Sequence, residues 1–271
     1  MKFFRYIFIL SLLYGTAHAQ GRKRNFKQHE IGIFIGGAYY IGDLNPSKHF
    51  NQTQPSVGFF YRYTPNYRYA FRGGINYGSI TADDSQSDEP DQIQRNLNFK
   101  SNILELHVLG EFNFLEYRIS NDKYKFTSFL FLGLDVFRFD PRAQIGNFWV
   151  DLQPLKTEAQ TSKYKLTQVG IPFGIGVKLN VSKQVGIGLE WGPRKLFTDY
   201  LDDVSTSYPN PSKTPFISEL AKSLSDRSKN AGNNANKQRG NPNTKDWYYF
   251  FGVTLNFKIT PKPAPCHAYG L

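Results

Sequence analysis

Glu105, His107 and Glu111 are the residues of this chain best placed for acid–base chemistry. Their odd spacing puts all three on one face of an extended segment, where a carboxylate and an imidazole could exchange a proton. The same face of neighbouring segments carries Arg62, Arg72, Lys178 and Glu190. Cations on that face would satisfy the carboxylates, and no nucleophile accompanies the group. A closed charge network is therefore expected rather than a catalytic site. The histidines His29, His49, His107 and His267 are scattered without metal-ligand spacing, so no metal is expected. Gly174-Ile175-Gly176 and Gly186-Ile187-Gly188 open no helix and do not make a nucleotide loop, so no cofactor is expected. Asp83, Asp84, Asp88, Glu89 and Asp91 lack the EF-hand pattern and read as a solvated loop. The chain is not expected to be an enzyme.

The elements that must position these residues are strands. Period-two alternation runs through about 30–41, 56–64, 68–80, 103–114, 125–137, 170–181, 185–192 and 247–259, which makes eight. One face is aliphatic or aromatic throughout, as in Ile171, Phe173, Ile175, Val177, Leu179 and Val181. The other carries Glu30, Arg62, Arg72, Glu105, His107, Glu111, Asp135, Lys178, Glu190 and Lys258 among many glycines. A helix is expected only near 214–226, with Thr214 as N-cap and Pro215 as first residue. Connections alternate short (65–67, 118–124, 182–184) with long (42–55, 81–96, 138–163, 198–246).

That alternation predicts an all-β fold: an eight-stranded antiparallel transmembrane barrel with short periplasmic turns and long external loops. A soluble barrel would put its apolar face inward, and nearly balanced charges cannot line an apolar pocket. Tyr63, Tyr67, Tyr69 and Tyr117 are expected in a periplasmic aromatic girdle, and Tyr77, Trp191 and Trp247 in an external one.

The flanks point to export. Lys2 and Arg5 precede the apolar run Tyr6–Leu13 and the Ala17-His18-Ala19 cleavage pattern, so residues 1–19 read as a signal peptide. Residues 20–29 form a basic periplasmic arm with Arg22, Lys23, Arg24 and Lys27, suited to anionic headgroups or an acidic partner. Residues 30–259 form the barrel and 260–271 a proline-rich periplasmic tail that holds Cys266. As the only cysteine of an exported chain of 271 residues, Cys266 excludes an internal disulfide and points to a free thiol or an intermolecular bridge. Outer-membrane lipids are expected partners. Nucleic acid is not, despite a net charge of +11.

Two segments carry a family resemblance. Gly36–Pro46 reads GGAYYIGDLNP, and Leu189–Ser205 reads LEWGPRKLFTDYLDDVS. Together they resemble the PorG family of Bacteroidota outer-membrane proteins, which belongs to the type IX secretion machinery. The resemblance implies a non-enzymatic component that ties a periplasmic ring of PorK and PorN type to the outer membrane. The alternatives are a small pore, which a charge-filled lumen opposes, or a surface adhesin acting through the long loops. Thr198, Asp199, Asp202 and Asp203 are expected to order the start of the last loop.

Overall fold

In the computed structural model, residues 27–121, 123–213 and 215–259 are described. Eight long strands make the wall: β1 (Gln28–Ile41), β2 (Gln54–Asn66), β3 (Tyr69–Asp83), β4 (Asn98–Asn113), β5 (Phe126–Phe139), β8 (Thr167–Asn180), β9 (Val185–Leu196) and β10 (Trp247–Ile259). A short hairpin, β6 (Arg142–Ile145) and β7 (Phe148–Asp151), extends one loop. Every pairing is antiparallel. β1 pairs with β10, and the β3–β4 pairing completes the circuit, so the wall has no free edge. Closure satisfies each strand's backbone within the sheet, which is what the hydrocarbon region requires.

The side chains run opposite to a soluble protein. Leu134, Val108 and Leu132 are 69%, 67% and 61% exposed on the outer face, whereas Glu105 and Lys178 are buried inside. A continuous apolar exterior around a polar interior is the signature of an outer-membrane β-barrel.

The turns at 67–68, 114–125 and 181–184 lie at one end, together with both ends of the wall: His29 pairs with Ile259 there. The loops 42–53, 84–97, 140–166 and 197–246 lie at the other. The strands exceed their predicted extents towards the long-loop end. β4 starts at Asn98 instead of 103, and β9 runs to Leu196 instead of 192. Pairing continues there past the apolar belt, where alternation of hydrophobic and polar residues no longer marks it.

The long loops are folded. A helix α1 (Pro90–Arg95) starts at a proline, where the missing N–H costs nothing. A helix α2 (Glu219–Ser225) is capped by Ser218, whose side chain accepts from the Ala221 amide, so it starts later than predicted. Thr214 lies outside the described residues, and Pro215 precedes the helix. One hydrophobic core joins Leu44, Leu97, Leu152, Leu201, Val204 and Leu224 of the loops to Phe34, Phe137, Tyr248 and Phe250 of the wall. The lumen is thus apolar at its long-loop end.

The outer belt makes a direct demand. Leu134→Arg should cost about 2–4 kcal/mol of folding into bilayers if it lies near mid-depth, read by urea titration of barrel in vesicles. Asn233→Arg, on an exposed loop, should leave the midpoint unchanged.

Candidate functional site: a charge-locked lumen beneath a folded cap

Two carboxylates organise the lumen. Glu111 on β4 takes Arg62 Nε of β2 at 3.0 Å, Arg72 Nε of β3 at 3.1 Å and Lys178 Nζ of β8 at 2.5 Å. Arg62 Nη1 also donates to Glu30 at 2.8 Å and to Asn256 at 2.8 Å. Arg72 Nη1 donates to Glu190 at 2.6 Å. Six residues earlier in β4, Glu105 accepts from Arg194 Nε at 2.9 Å, Tyr248 Oη at 2.9 Å, Asn76 Nδ2 at 2.9 Å and His107 Nδ1 at 2.9 Å. Arg62, Arg72, Glu111, Lys178 and Glu190 therefore form one cluster, and Glu105 heads another. Arg194 is the partner that sequence reading missed. It follows Pro193, where the strand was expected to have ended.

Aromatic rings line the cations. Phe60 lies 4.9 Å from Arg62 and 5.1 Å from Arg72, and Phe129 lies 4.2 Å from Lys178. The β8 glycines make room for such rings. A Cβ at Gly176 would fall 2.5 Å from Phe129, and one at Gly174 would fall 2.5 Å from Phe131. The Gly174-Ile175-Gly176 spacing is thus a packing requirement.

The lumen is closed at both ends. At the short-turn end the 114–125 connection folds inward, burying Tyr117 and Ile119. Ser120 receives a bond from Lys258 Nζ at 3.0 Å. Tyr117 therefore plugs the barrel and is not part of an aromatic girdle. Its outward-pointing alternation is lost once β4 ends at Asn113.

At the long-loop end the Thr198–Ser205 run is the keystone of a cap. Tyr40 Oη of β1 lies 2.6 Å from Asp202 Oδ2 and 3.0 Å from Asp246 Oδ1. Asp246 Oδ2 accepts from the Leu201 amide at 2.9 Å. Asp203 accepts from Tyr164 Oη at 2.6 Å and Thr157 Oγ1 at 2.5 Å. Asp199 accepts from Ser205 Oγ at 2.6 Å. Glu158 accepts from the Ser205 amide at 2.9 Å and pairs with Arg239 at 3.0 Å, and Arg239 donates to the Asp203 carbonyl. Asp43 accepts from the Asn241 amide at 3.0 Å. Strand β1, the 140–166 loop and the distal part of the last loop are thus tied to one eight-residue run. Of the acidic loop, Asp88, Glu89 and Asp91 are exposed, but Asp84 is buried and held by Arg95 at 2.7 and 2.8 Å.

Cap carboxylates are held protonated more readily than usual. Burial pushes Asp203 up to about 6, partly opposed by the nearby Arg239 charge. Burial, opposed by the Asn241 amide, likewise pushes Asp43 up to about 6. Asp202 and Asp246 are raised well above the carboxylate range, by burial first and with their mutual proximity contributing to Asp202. A single tyrosine proton serves both of them, so one carboxyl of the pair must carry its own.

Of the basic arm, Lys27 is exposed ahead of β1, while Arg22, Lys23 and Arg24 lie outside the described residues, as does Cys266. Among the described residues, no group of three or more His, Cys, Asp or Glu could hold a metal ion.

Two outcomes are expected. Glu111→Ala strands three buried cations and should destabilise the barrel by roughly 3–5 kcal/mol, read by urea unfolding in detergent. Because the folded cap raises its carboxyl pKa values, its stabilisation is complete below their ordinary value and is lost as pH rises through about 6. Limited proteolysis of the 197–246 loop should accelerate from pH 5 to pH 7.5, by at most about tenfold per pH unit per group. Asp43→Asn should flatten that profile.

The fold resembles several solved structures at low identity. Ail, the attachment invasion locus protein of Yersinia pestis in complex with the heparin analogue sucrose octasulfate, is 9% identical and matches 86% of this chain and 99% of its own, with a TM-score of 0.43. Neisserial surface protein A is 10% identical over 85% and 97%, with a TM-score of 0.42. The outer membrane protein OprG from Pseudomonas aeruginosa is 11% identical over 86% and 98%, with a TM-score of 0.38. No curated protein matches the sequence. Residues 2–268 match the family described as a domain of unknown function, DUF6089, and the chain belongs to that family.

Proposed function

We propose that this barrel is a non-enzymatic outer-membrane component of a type IX secretion machinery, tethering a periplasmic ring of PorK and PorN type to the membrane. The observation that carries the reading is the sealed lumen. With Glu105 and Glu111 ringed by cations and both mouths covered by folded connections, the described barrel is filled rather than open. Its work then lies at its two ends. The Gly36–Pro46 and Leu189–Ser205 segments that resemble the PorG family support the assignment. In the PorG-like orientation the short-turn end faces the periplasm. The arm with Arg22, Lys23, Arg24 and Lys27 and the tail with Cys266 both attach at that end. The arm supplies positive charge for an acidic partner surface, and Cys266 supplies a thiol for an intermolecular bridge in an oxidising compartment.

The test is purification from native outer membranes after crosslinking, without reductant, comparing wild type, Cys266→Ser and a chain with the four arm cations changed to glutamine. Wild type should bring down periplasmic ring proteins. A high-mass band that collapses on reduction and is lost in Cys266→Ser places the contact at the tail. Loss in the arm variant places it at the arm. Recovery of isolated barrel from wild-type membranes would overturn the tethering role.

A further inference from the structure

The outer face of the wall is free of acidic and basic side chains except at one rim. Those that alternation turns outward from the eight long strands are Lys100, Arg138 and Lys195, with Asp83 at the last position of β3. All four lie at the long-loop end. Asp83 is occupied in capping the turn that follows, where its side chain accepts from the Ser85 amide. Lys195 Nζ rests 4.4 Å from the Trp247 ring, and Lys100 Nζ 6.0 Å from the Trp149 ring. Arg138 differs from these. It is exposed and makes no hydrogen bond, ion pair or ring contact among the described residues.

Arg138 stands in a cleft of about 350 Å³ between the wall and the 140–166 loop. One side is a row of outward side chains from three neighbouring strands, since Tyr77 of β3 pairs with Leu104 of β4, and Leu104 with Arg138 of β5. Tyr77 and Leu104 are 49% and 44% exposed. The loop brings Pro141, Gln153 and Pro154 to the other side. Four charged side chains line the cleft: Arg138, Asp140, Arg142 and Asp151. Three of them satisfy one another. Arg142 bridges Asp140 at 2.9 Å and Asp151 at 2.8 Å, and Asp140 also accepts from the Asn102 amide at 2.6 Å. Asp151 is exposed, so its remaining charge is screened by solvent. Arg138 is the one charge in the cleft without a counter-ion.

Two residues from this row, towards the middle of the wall, the same face continues as Ile75, Leu106 and Val136, all apolar and exposed. A long cationic side chain at the edge of such a belt keeps its stem on the apolar surface and its head in the headgroup layer. A guanidinium there matches phosphate through two parallel N–H···O bonds. A free anion gains nothing from the apolar strip, and a neutral lipid gains nothing from Arg138. A lipid phosphate uses both.

We propose that this cleft seats the anionic phosphate of a membrane lipid on Arg138, with the acyl chains lying along Ile75, Leu106 and Val136. The site is independent of the tethering role, because the arm and tail attach at the other end of the barrel.

The mature chain in detergent would be titrated with phosphatidylglycerol or phosphatidylcholine of identical acyl chains, and bound lipid counted by native mass spectrometry. The first phosphatidylglycerol should bind at least about fivefold more tightly than the first phosphatidylcholine, the scale of one basic side chain at an anionic lipid surface. Arg138→Gln should abolish that preference. Lys195→Gln, on the same rim but outside the cleft, should keep it. Arg138 has no partner to lose, so both variants should unfold at the wild-type urea midpoint. Glycerol phosphate at the lipid's own concentration should leave the lipid bound. Equal binding of the two lipids would overturn the site, as would a preference that survives Arg138→Gln. A preference lost equally in Lys195→Gln would replace the cleft by diffuse rim charge, and displacement by glycerol phosphate would replace the lipid by a free anion.

Discussion

Eight strands close on a lumen only as wide as the side chains that fill it. Polar groups turned inward therefore find their partners chiefly among one another. The hydrocarbon outside fixes the apolar face of each strand, and alternation then forces the remaining residues into that narrow space. Glu111 and Glu105 are the answer to this constraint. Each collects donors from several strands, so that Arg62, Arg72, Lys178 and Arg194 are neutralised by carboxylates. Glycines on β8 and phenylalanines on β5 complete the filling, with Phe129 and Phe131 occupying the space the glycines leave. An ion network of this kind is weak as a source of net stability but strict in specifying which strands stand opposite which.

The cap solves a related problem with a different chemistry. Loops of 12 to 50 residues leave many backbone groups to satisfy above the membrane. The Thr198–Ser205 run supplies acceptors at close intervals: Asp199 to Ser205, Asp202 to Tyr40, Asp203 to Tyr164 and Thr157. Few cations reach these acids, in contrast to the lumen, so protons take the place of counterions.

The strands were legible because their outer faces are uniformly apolar and the period of two is unbroken across the membrane belt. The lumenal membership of Arg62, Arg72, Glu105, Glu111, Lys178 and Glu190 followed from the same period. What escaped reading lies where the period stops carrying information. Arg194 sits beyond Pro193, and a proline ordinarily ends a central strand, yet Pro193 faces Tyr249 within β9. Tyr117 turned inward because the connection after β4 folds back as a plug, and no local pattern encodes that. The partners of the cap acids are equally silent in sequence: Asp43 meets the Asn241 amide across 198 positions. In the acidic run at 83–91, Asp88, Glu89 and Asp91 are exposed as expected, and only Asp84 is buried, by Arg95, which also binds the carbonyls of Asp43 and Arg239.

The two closures share the same strands. β10 carries Tyr248 to the Glu105 cluster beneath the cap and Asn256 to the Arg62 cluster above the plug. Its neighbour β1 carries Tyr40 to Asp202 at one end and Glu30 to Arg62 at the other. At the middle of this seam Gly36 faces Gly252, and a Cβ on Gly36 would fall 2.0 Å from the Phe251 carbonyl oxygen, so the two backbones meet with no side chain between them. A force applied to the chain ends, which leave the wall where His29 pairs with Ile259, enters these same two strands. It meets a continuous ladder cross-tied by buried ion pairs, with no loop or hinge before the cap. Between its two closures the described seam is thus an unbroken pair of strands.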